Sequence, residues 1–222
     1  MIEHALLHAC GVRHGFGTRG SQPPVPLRRP RQVHGARLVT SRECADGVEA
    51  DAVIAPTGSG DAIGVVTADC IPVLAASADG RAVAAIHAGW RGLAAGVIEA
   101  GIAALRESAS GASLHAVVGP HIGACCYEID APVLDALRHF DADLDAATTA
   151  SRPGHHYLDL GALARSALRR AGVSLDAIGS IASSCTSCDA KRFHSYRRDG
   201  PRAGRLVHWI APRMLDSAES DA

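Results

Sequence analysis

Three side chains far apart in the sequence carry donor atoms suited to a transition metal. They are His34 in Gln32-Val33-His34-Gly35, Cys70 in Ala68-Asp69-Cys70-Ile71-Pro72, and His87 in His87-Ala88-Gly89-Trp90-Arg91-Gly92. Each follows or interrupts an apolar run and is flanked by a residue that breaks regular structure, so each is read as a strand end. Strand ends of this kind converge on one edge of a sheet, where sites are built. Two imidazoles and one thiolate suit zinc, and three protein ligands leave a fourth tetrahedral position open, the mark of a catalytic site. Zinc there brings the pKa of a bound water to about 7. The same donors accept copper, which has the greater raw affinity. Against this, an isolated His or Cys at a strand end more often packs or hydrogen-bonds, and these separations match no compact zinc-finger spacing. A thiol reading also stands, with Cys70 as nucleophile and His87 as its base, acting on an amide.

Other residues extend the candidate site. Asp69, beside Cys70, is a proton shuttle or a carboxylate supporting the ligands; the plainer reading is a solvated turn residue. Arg91, at a Gly-flanked helix start, can hold phosphate or ribose together with the helix N-terminus. Arg197 and Arg198 precede an Asp199-Gly200 turn and can grip phosphate in a bidentate manner, or simply form a salt-bridged turn. His121 is a candidate acid or base. Cys185-x-x-Cys188 invites a redox reading, but no helix clearly starts after the first cysteine, which favours a structural or site-lining role. Cys125-Cys126 reads as part of a packed strand, with Cys125 able to approach the metal. His155-His156 reads as solvated loop, and Cys10 and Cys44 as incidental.

The elements that must position these residues follow from hydrophobic pattern and punctuation. Residues 19–31 hold Gly20 and four prolines and read as an extended connector. Strands are expected at Val33–Thr40, Asp51–Ala55, Ile63–Thr67, Ile71–Ala76, Ala82–His87, Leu114–Val118, Ile178–Ser183 and Arg205–Ile210, with a hairpin around Asp79-Gly80. Helices are expected over Leu93–Glu107, from the Asp130 cap to about His139, and from the Asp159 cap to Gly172. Residues 141–154 read as loop, and the polar tail 216–222 as frayed. Strands outnumber helices and several connections are too short for parallel crossovers. The expected class is therefore α/β of the α+β type: a mixed, largely antiparallel sheet core with helices packed outside, in a single domain over residues 1–222.

Whole-chain properties narrow the function classes. The chain has 222 residues, a formal net charge of −1 and 20% charged residues, so nothing global points to nucleic acid, an anionic membrane or an acidic tail. No apolar run reaches the roughly 18 residues of a spanning helix, and the N-terminus lacks a signal-peptide pattern. A cytoplasmic protein is expected. Its seven cysteines are then mostly reduced, and their odd number argues against a closed disulfide framework.

The three metal-ligand segments also resemble the signature segments of the YfiH-like, laccase-domain family. Further matches follow in order: Gly17-Thr18-Arg19, Gly119-Pro120-His121-Ile122-Gly123, Cys126-Tyr127-Glu128-Ile129, Cys185-Thr186-Ser187-Cys188, and Phe193-His194-Ser195-Tyr196-Arg197-Arg198-Asp199-Gly200. The resemblance runs from about residue 14 to 210, and His-Ala-Gly-Trp-Arg-Gly after Asp-Cys-x-Pro is hard to match by chance. It implies metal ligation by His34, Cys70 and His87. It implies a zinc enzyme acting on purine nucleosides and phosphate: phosphorolysis of adenosine, inosine, guanosine and methylthioadenosine, plus adenosine deamination. The alternatives it carries are a copper-dependent polyphenol oxidase and an editing enzyme for peptidoglycan precursors. The oxidase reading meets an obstacle, since multi-electron reduction of dioxygen normally needs several coppers and only one convincing three-ligand site is found. The sequence departs from the family in one place. Between Gly-x-x-Thr-Arg and Gln-Val-His-Gly, members carry a longer stretch with a helix, and here only Gly20 to Arg31 fills the gap.

Overall fold

The longest apolar runs of the chain are strands buried on both faces. In the computed structural model, which describes residues 1–181 and 185–214, the chain opens with helix α1 (Ala5–Ala9) and strands β1 (Arg13–Gly15), β2 (Leu38–Thr40), β3 (Ala52–Ala55), β4 (Ile63–Thr67), β5 (Ile71–Ser77) and β6 (Val83–Ala88). Helices α2 (Trp90–Ala94) and α3 (Val97–Ser108) follow, then β7 (Leu114–Val118), β8 (Glu128–Asp130), α4 (Ala131–Leu137) and α5 (Ala142–Ala147). The remainder is β9 (Thr148–Ala150), β10 (His155–Leu158), α6 (Leu160–Arg170), β11 (Ile178–Ser180), α7 (Tyr196–Asp199) and β12 (Leu206–Ala211). Six strands form the central sheet in the order β11-β7-β5-β6-β3-β2. A second sheet, β1-β12-β4, stacks on one of its faces, and a small third sheet is β8-β10-β9. Among the described residues, all strand pairings are antiparallel except β11 with β7 and β2 with β3. This is the expected mixed, largely antiparallel architecture.

Side chains of a strand point alternately to opposite faces, and the central sheet uses both. Ala52, Ile54, Ile71, Val73, Ala84, Ile86, Ala116 and Val118 face a core shared with α3 and α6. The residues between them, Val53, Leu74, Val83, Ala85 and Val117, face a second core filled by Phe16, Ile63, Val65 and Ile210. A strand sandwiched this way has no polar face, which is why these segments read as unbroken apolar runs.

The hairpin about Asp79-Gly80 is present. Gly80 adopts φ +71° and Ser77 Oγ donates to Asp79 Oδ1 at 2.5 Å. Its register pairs Ile71 with Ala88 and Pro72 with His87, which brings the residue before β5, Cys70, opposite Gly89. The helix after Asp159 is also present, capped by the Asp159 carboxylate accepting from Ala162 N at 2.8 Å and stopped at Gly172, φ +82°.

Several expectations are corrected. The single helix over Leu93–Glu107 is two helices, because Gly96 takes the left-handed conformation, φ +77°, and turns the chain between Leu93 and Val97. The strand over Val33–Thr40 shrinks to Leu38–Thr40, since His34 itself lies at φ +62°. Of residues 141–154 only 141 and 151–154 are loop: Leu144 and Ala147 bury one side of α5, and β9 pairs with β10, so His155-His156 belongs to a strand. Cys125-Cys126 is a turn rather than a strand. Two further expectations reach beyond the described residues: the tail 216–222 and the end of Ile178–Ser183.

Helix α3 meets the sheet through Gly101. A Cβ there would lie 2.5 Å from Ile86 Cδ1. Alanine in a helix interior is worth about 1 kcal/mol over glycine, whereas overpacking costs about 1–3 kcal/mol. We therefore expect Gly101→Ala to lower unfolding stability by about 1 kcal/mol in urea melts. In the Ile86→Val background, which lacks that Cδ1 and keeps only the Cγ1 contact at 3.0 Å, the cost should shrink. Equal effects in both backgrounds would contradict the packing described.

Candidate metal centre

The site is built around a carboxylate that sequence reasoning did not single out. Asp51 precedes β3 and is wholly buried. Its Oδ1 is 2.8 Å from His87 Nδ1 and accepts the His34 backbone N–H at 2.9 Å. Its Oδ2 accepts Gly35 N–H at 2.7 Å and Val33 N–H at 3.3 Å. Burial opposes its ionisation, but the hydrogen bonds from His87, Gly35 and His34 outweigh it and lower the carboxyl's pKa. One buried anion thus fixes the ring of His87 and holds His34 in its left-handed backbone conformation. A signal was present in the sequence, an Asp at the head of an apolar strand, but nothing local to it pointed to His87.

Cys70 comes from the other side. Strand β4 belongs to the second sheet and β5 to the central one, and the chain crosses between them at Ala68-Asp69-Cys70. The crossing takes Asp69 to φ +88°. Its carboxylate meets three donors: Thr186 Oγ1 to Oδ1 at 2.6 Å, Ser195 Oγ to Oδ2 at 3.0 Å and Arg197 N to Oδ2 at 2.6 Å. Asp69 is buried, so the solvated-turn reading does not hold. Both its oxygens are engaged in pinning the segments that carry Thr186 and Arg197.

The outcome is that one donor atom each from His34, Cys70 and His87 lies within 4.8 Å of the others. Since Nδ1 of His87 faces Asp51, its Nε2 is the atom available to an ion, the carboxylate–histidine arrangement that orients metal-binding imidazoles. The crowding leaves a mark in the sequence: a Cβ on Gly89 would fall 3.0 Å from Cys70 Sγ and 3.3 Å from His34 Cδ2. Zinc–ligand bonds of roughly 2.0–2.3 Å need only a small contraction from these separations, so the donor set and spacing fit a single ion.

Electrostatics favour a thiolate. Burial pushes the Cys70 thiol up, but hydrogen bonds from His34 and His87 and the charge of His87 bring it down to about 6. For His87, burial pushes down, and the hydrogen bonds to Asp51 and Cys70 raise it to about 9. Without an ion the pair is therefore a thiolate and an imidazolium between those values.

The three donors open on a cavity of about 700 Å³, inside the range of roughly 300–1,000 Å³ typical of small-molecule sites. Gln32, Thr67, Asp69, Ile122, Tyr127, Tyr196 and Arg197 line it, as do Arg29, Arg31 and Arg205. The last three arginines were not anticipated; two come from the proline-rich connector. Burial, together with the negative charge of Cys70, raises the Tyr127 phenol to about 12, so it stays neutral. Gln32 is locked, its amide bonded to both Val66 O and Val66 N at 2.7 Å.

Three expected substrate residues lie outside the cavity wall. Arg91 is exposed and stacks on Trp90, 4.2 Å from the ring centroid, and α2 has five residues, too few to build a dipole of consequence. Arg198 is committed to Asp199 and to the carbonyls of Thr186, Ser187 and Phe193. His121 pairs through Nδ1 with Gly119 O, 2.8 Å away, and packs against Gly161, where a Cβ would lie 2.6 Å from its Nε2. Burial lowers its pKa.

The supporting role of Asp51 is open to measurement. Asp51→Asn should weaken metal affinity about 10–100-fold in chelator competition; an unchanged affinity would show that the carboxylate does not support His87 as a ligand. Because His87 is protonated below about 9, an ion must displace one proton from it. Zinc affinity should then rise about tenfold per pH unit between pH 7 and 8.5. Calorimetry in buffers of different ionisation enthalpy should register about one proton released, and no release would overturn the assignment.

The profile of the family described as multi-copper polyphenol oxidoreductase laccase matches residues 17–213. A purine nucleoside phosphorylase of Xylella fastidiosa strain Temecula1 is 42% identical over 189 residues, covering 81% of this chain and 70% of that one. The adenosine deaminase RL5 of an unknown prokaryotic organism is 31% identical over 196 residues, covering 83% and 74%. Among solved structures, a protein of Neisseria meningitidis superposes with a TM-score of 0.76 at 37% identity, covering 85% of this chain and 76% of that one. YlmD from Geobacillus stearothermophilus gives 0.75 at 30%, covering 84% and 74%. With the profile spanning nearly the whole chain and the fold shared, this chain belongs to the YfiH-like, laccase-domain family.

Proposed function

We propose that the chain is a zinc-dependent purine nucleoside enzyme, catalysing phosphorolysis of adenosine, inosine, guanosine or methylthioadenosine and deamination of adenosine. The observation that carries this is the convergence of His34, Cys70 and His87 within 4.8 Å on the wall of a cavity bordered by several guanidinium groups. The names of the relatives supply the reaction classes. A zinc ion on these three ligands supplies Lewis acidity and an activated water.

The chain's own residues do the rest. Tyr127 and Tyr196 offer flat walls for a base, the geometry aromatic side chains favour. Arg197 is the anion-binding candidate retained from the sequence, joined by Arg29 and Arg205. Its guanidinium is aimed by the carbonyls of Cys126 and Glu128 at 3.0–3.3 Å and its backbone by Asp69. We therefore assign Asp69 to positioning Arg197 and not to proton transfer. Asp51 holds the His87 ring so that Nε2 faces the cavity side.

A second reading has its own observation. Asp51, His87 and Cys70 form a chain of the carboxylate–imidazole–thiol kind that activates a nucleophile, with the thiol lowered to about 6. A thiol hydrolase acting on an amide of cell-wall precursors fits that chain. The two readings separate by alkylation: if Cys70 is a ligand, iodoacetamide modifies it only after chelator treatment, and rapid modification of the untreated protein favours the hydrolase.

The central test is incubation of metal-replete protein with adenosine, with and without phosphate. Adenine and ribose 1-phosphate should appear only with phosphate, and inosine in both. Absence of all three would sink the proposal. Arg197→Ala should raise the KM for phosphate about 10–100-fold, the loss of a charge-assisted contact of about 1.5–3 kcal/mol. Deamination, which takes no phosphate, should keep its kcat within a few-fold; parallel loss of both would reassign Arg197 to the fold.

A further inference from the structure

Four cysteines outside the candidate centre also converge. Cys125 and Cys126 lie on the turn after Gly123, where Cys126 N and Tyr127 N both donate to Gly123 O at 3.0 and 3.1 Å. Cys185 and Cys188 lie on a second turn, far along the chain, where Asp189 N donates to Cys185 O at 3.1 Å. A parallel bridge between His121 and Cys185 and a bond from Thr186 N to His121 O at 3.0 Å set the two turns side by side. All four sulfurs lie within 4.8 Å of one another. Three of the separations are 3.7 Å (Cys125–Cys126), 3.5 Å (Cys125–Cys188) and 3.3 Å (Cys126–Cys188). The cysteines are free thiols, far beyond the roughly 2.05 Å of a disulfide.

We propose that Cys125, Cys126, Cys185 and Cys188 form a second, closed metal site that holds one zinc ion in a structural role. A tetrahedral ion with bonds of roughly 2.3 Å to sulfur places its ligands about 3.8 Å apart, and the observed separations sit close to that edge length. An iron–sulfur cluster inserts inorganic sulfides between its thiolates and spreads them wider than this. Four protein thiolates leave no coordination position open, the mark of a structural zinc site.

The surroundings are those of a bound thiolate group. Gly123 N–H donates to Cys185 Sγ at 3.3 Å. A Cβ on Gly123 would lie 3.3 Å from Cys185 Cβ and 3.4 Å from Cys125 Sγ, so glycine best leaves room. Zinc with four thiolates is a net dianion, and two guanidiniums stand at its margin. Arg197 Nη1 donates to Cys126 O at 3.3 Å, and Arg198 Nη1 to Thr186 O and Ser187 O at 2.9 and 3.0 Å. The remaining cysteines have other settings: Cys10 and Cys44 are buried in the core between the stacked sheets, and Cys70 is in the first centre.

The site would also position the substrate cavity. Its first turn carries Ile122 and Tyr127, both in the cavity wall, and its second carries Thr186, the partner of Asp69. An ion across the two turns fixes one wall of the cavity without touching a substrate, and this holds whichever reaction the cavity serves.

Metal analysis of protein purified in reductant, without chelator, tests this. Cys70→Ser should keep one equivalent of zinc, and Cys125→Ser/Cys188→Ser should lose one equivalent relative to the parent chain. In Cys70→Ser reconstituted with cobalt, the intense sulfur-to-cobalt charge-transfer band of a tetrathiolate site should remain. Differential alkylation of the unmodified chain guards against misfolding of the variants: peptide mass spectrometry should find the four cysteines protected together and released together by chelator. Ready alkylation of all four without chelator, a disulfide among them, or a Cys70→Ser chain that binds no metal would each overturn the proposal.

Discussion

A single buried carboxylate organises the candidate centre. Taking Asp51 out of water is costly unless its oxygens are fully engaged, and here three backbone amides and one imidazole engage them. The backbone repeats the link, since His87 N donates to Asp51 O at 2.7 Å. The result is that a loop residue with an unfavourable left-handed conformation, His34, and a strand residue, His87, cannot move independently. Strain of that kind persists only where the surroundings over-determine it, and Asp51 is what does so.

Asp69 has the equivalent role at the crossing between the sheets. Like His34, it sits at positive φ, and its carboxylate gathers Thr186, Ser195 and Arg197 onto the segment that presents Cys70. The candidate ligands thus stand beside two buried carboxyl groups, each serving a different loop set. Function is placed on irregular backbone while the rigid sheet below supplies the reference frame.

Much of the fold was legible because the central sheet is buried on both sides. Runs such as Ile71–Ala76 and Ala82–His87 carry no polar interruption, and the Asp79-Gly80 turn between them fixes their pairing. The ligand trio was legible as residues at run ends, and the resemblance of their flanking segments to a known family gave them a chemistry. What stayed hidden depends on contacts distant in sequence. Asp51 is 36 residues from the histidine it supports, and Arg29, Arg31 and Arg205 gain meaning only when the connector folds over the cavity. Arg198 and Arg91 looked like anion binders by type, but type does not reveal that Arg198's donors are spent on carbonyls and Asp199. Gly96 defeated the helix reading because Leu93, Val97, Gly101 and Leu105 recur every four residues, straight across a left-handed residue. The thiol pairs at 125–126 and 185–188 stood too far apart for spacing to join them.

The locked amide of Gln32 has a consequence for how the layers hold together. Gln32 grips Val66 in the outer sheet through both ends of its carboxamide, while two residues later His34 is tied through Asp51 to the central sheet. The loop between them is a strap across the seam of the sandwich. An ion held by the candidate ligands His34, Cys70 and His87 would tighten that strap, as a rivet through stacked plates. Slippage of one sheet over the other would then cost metal–ligand bonds as well as buried apolar contact.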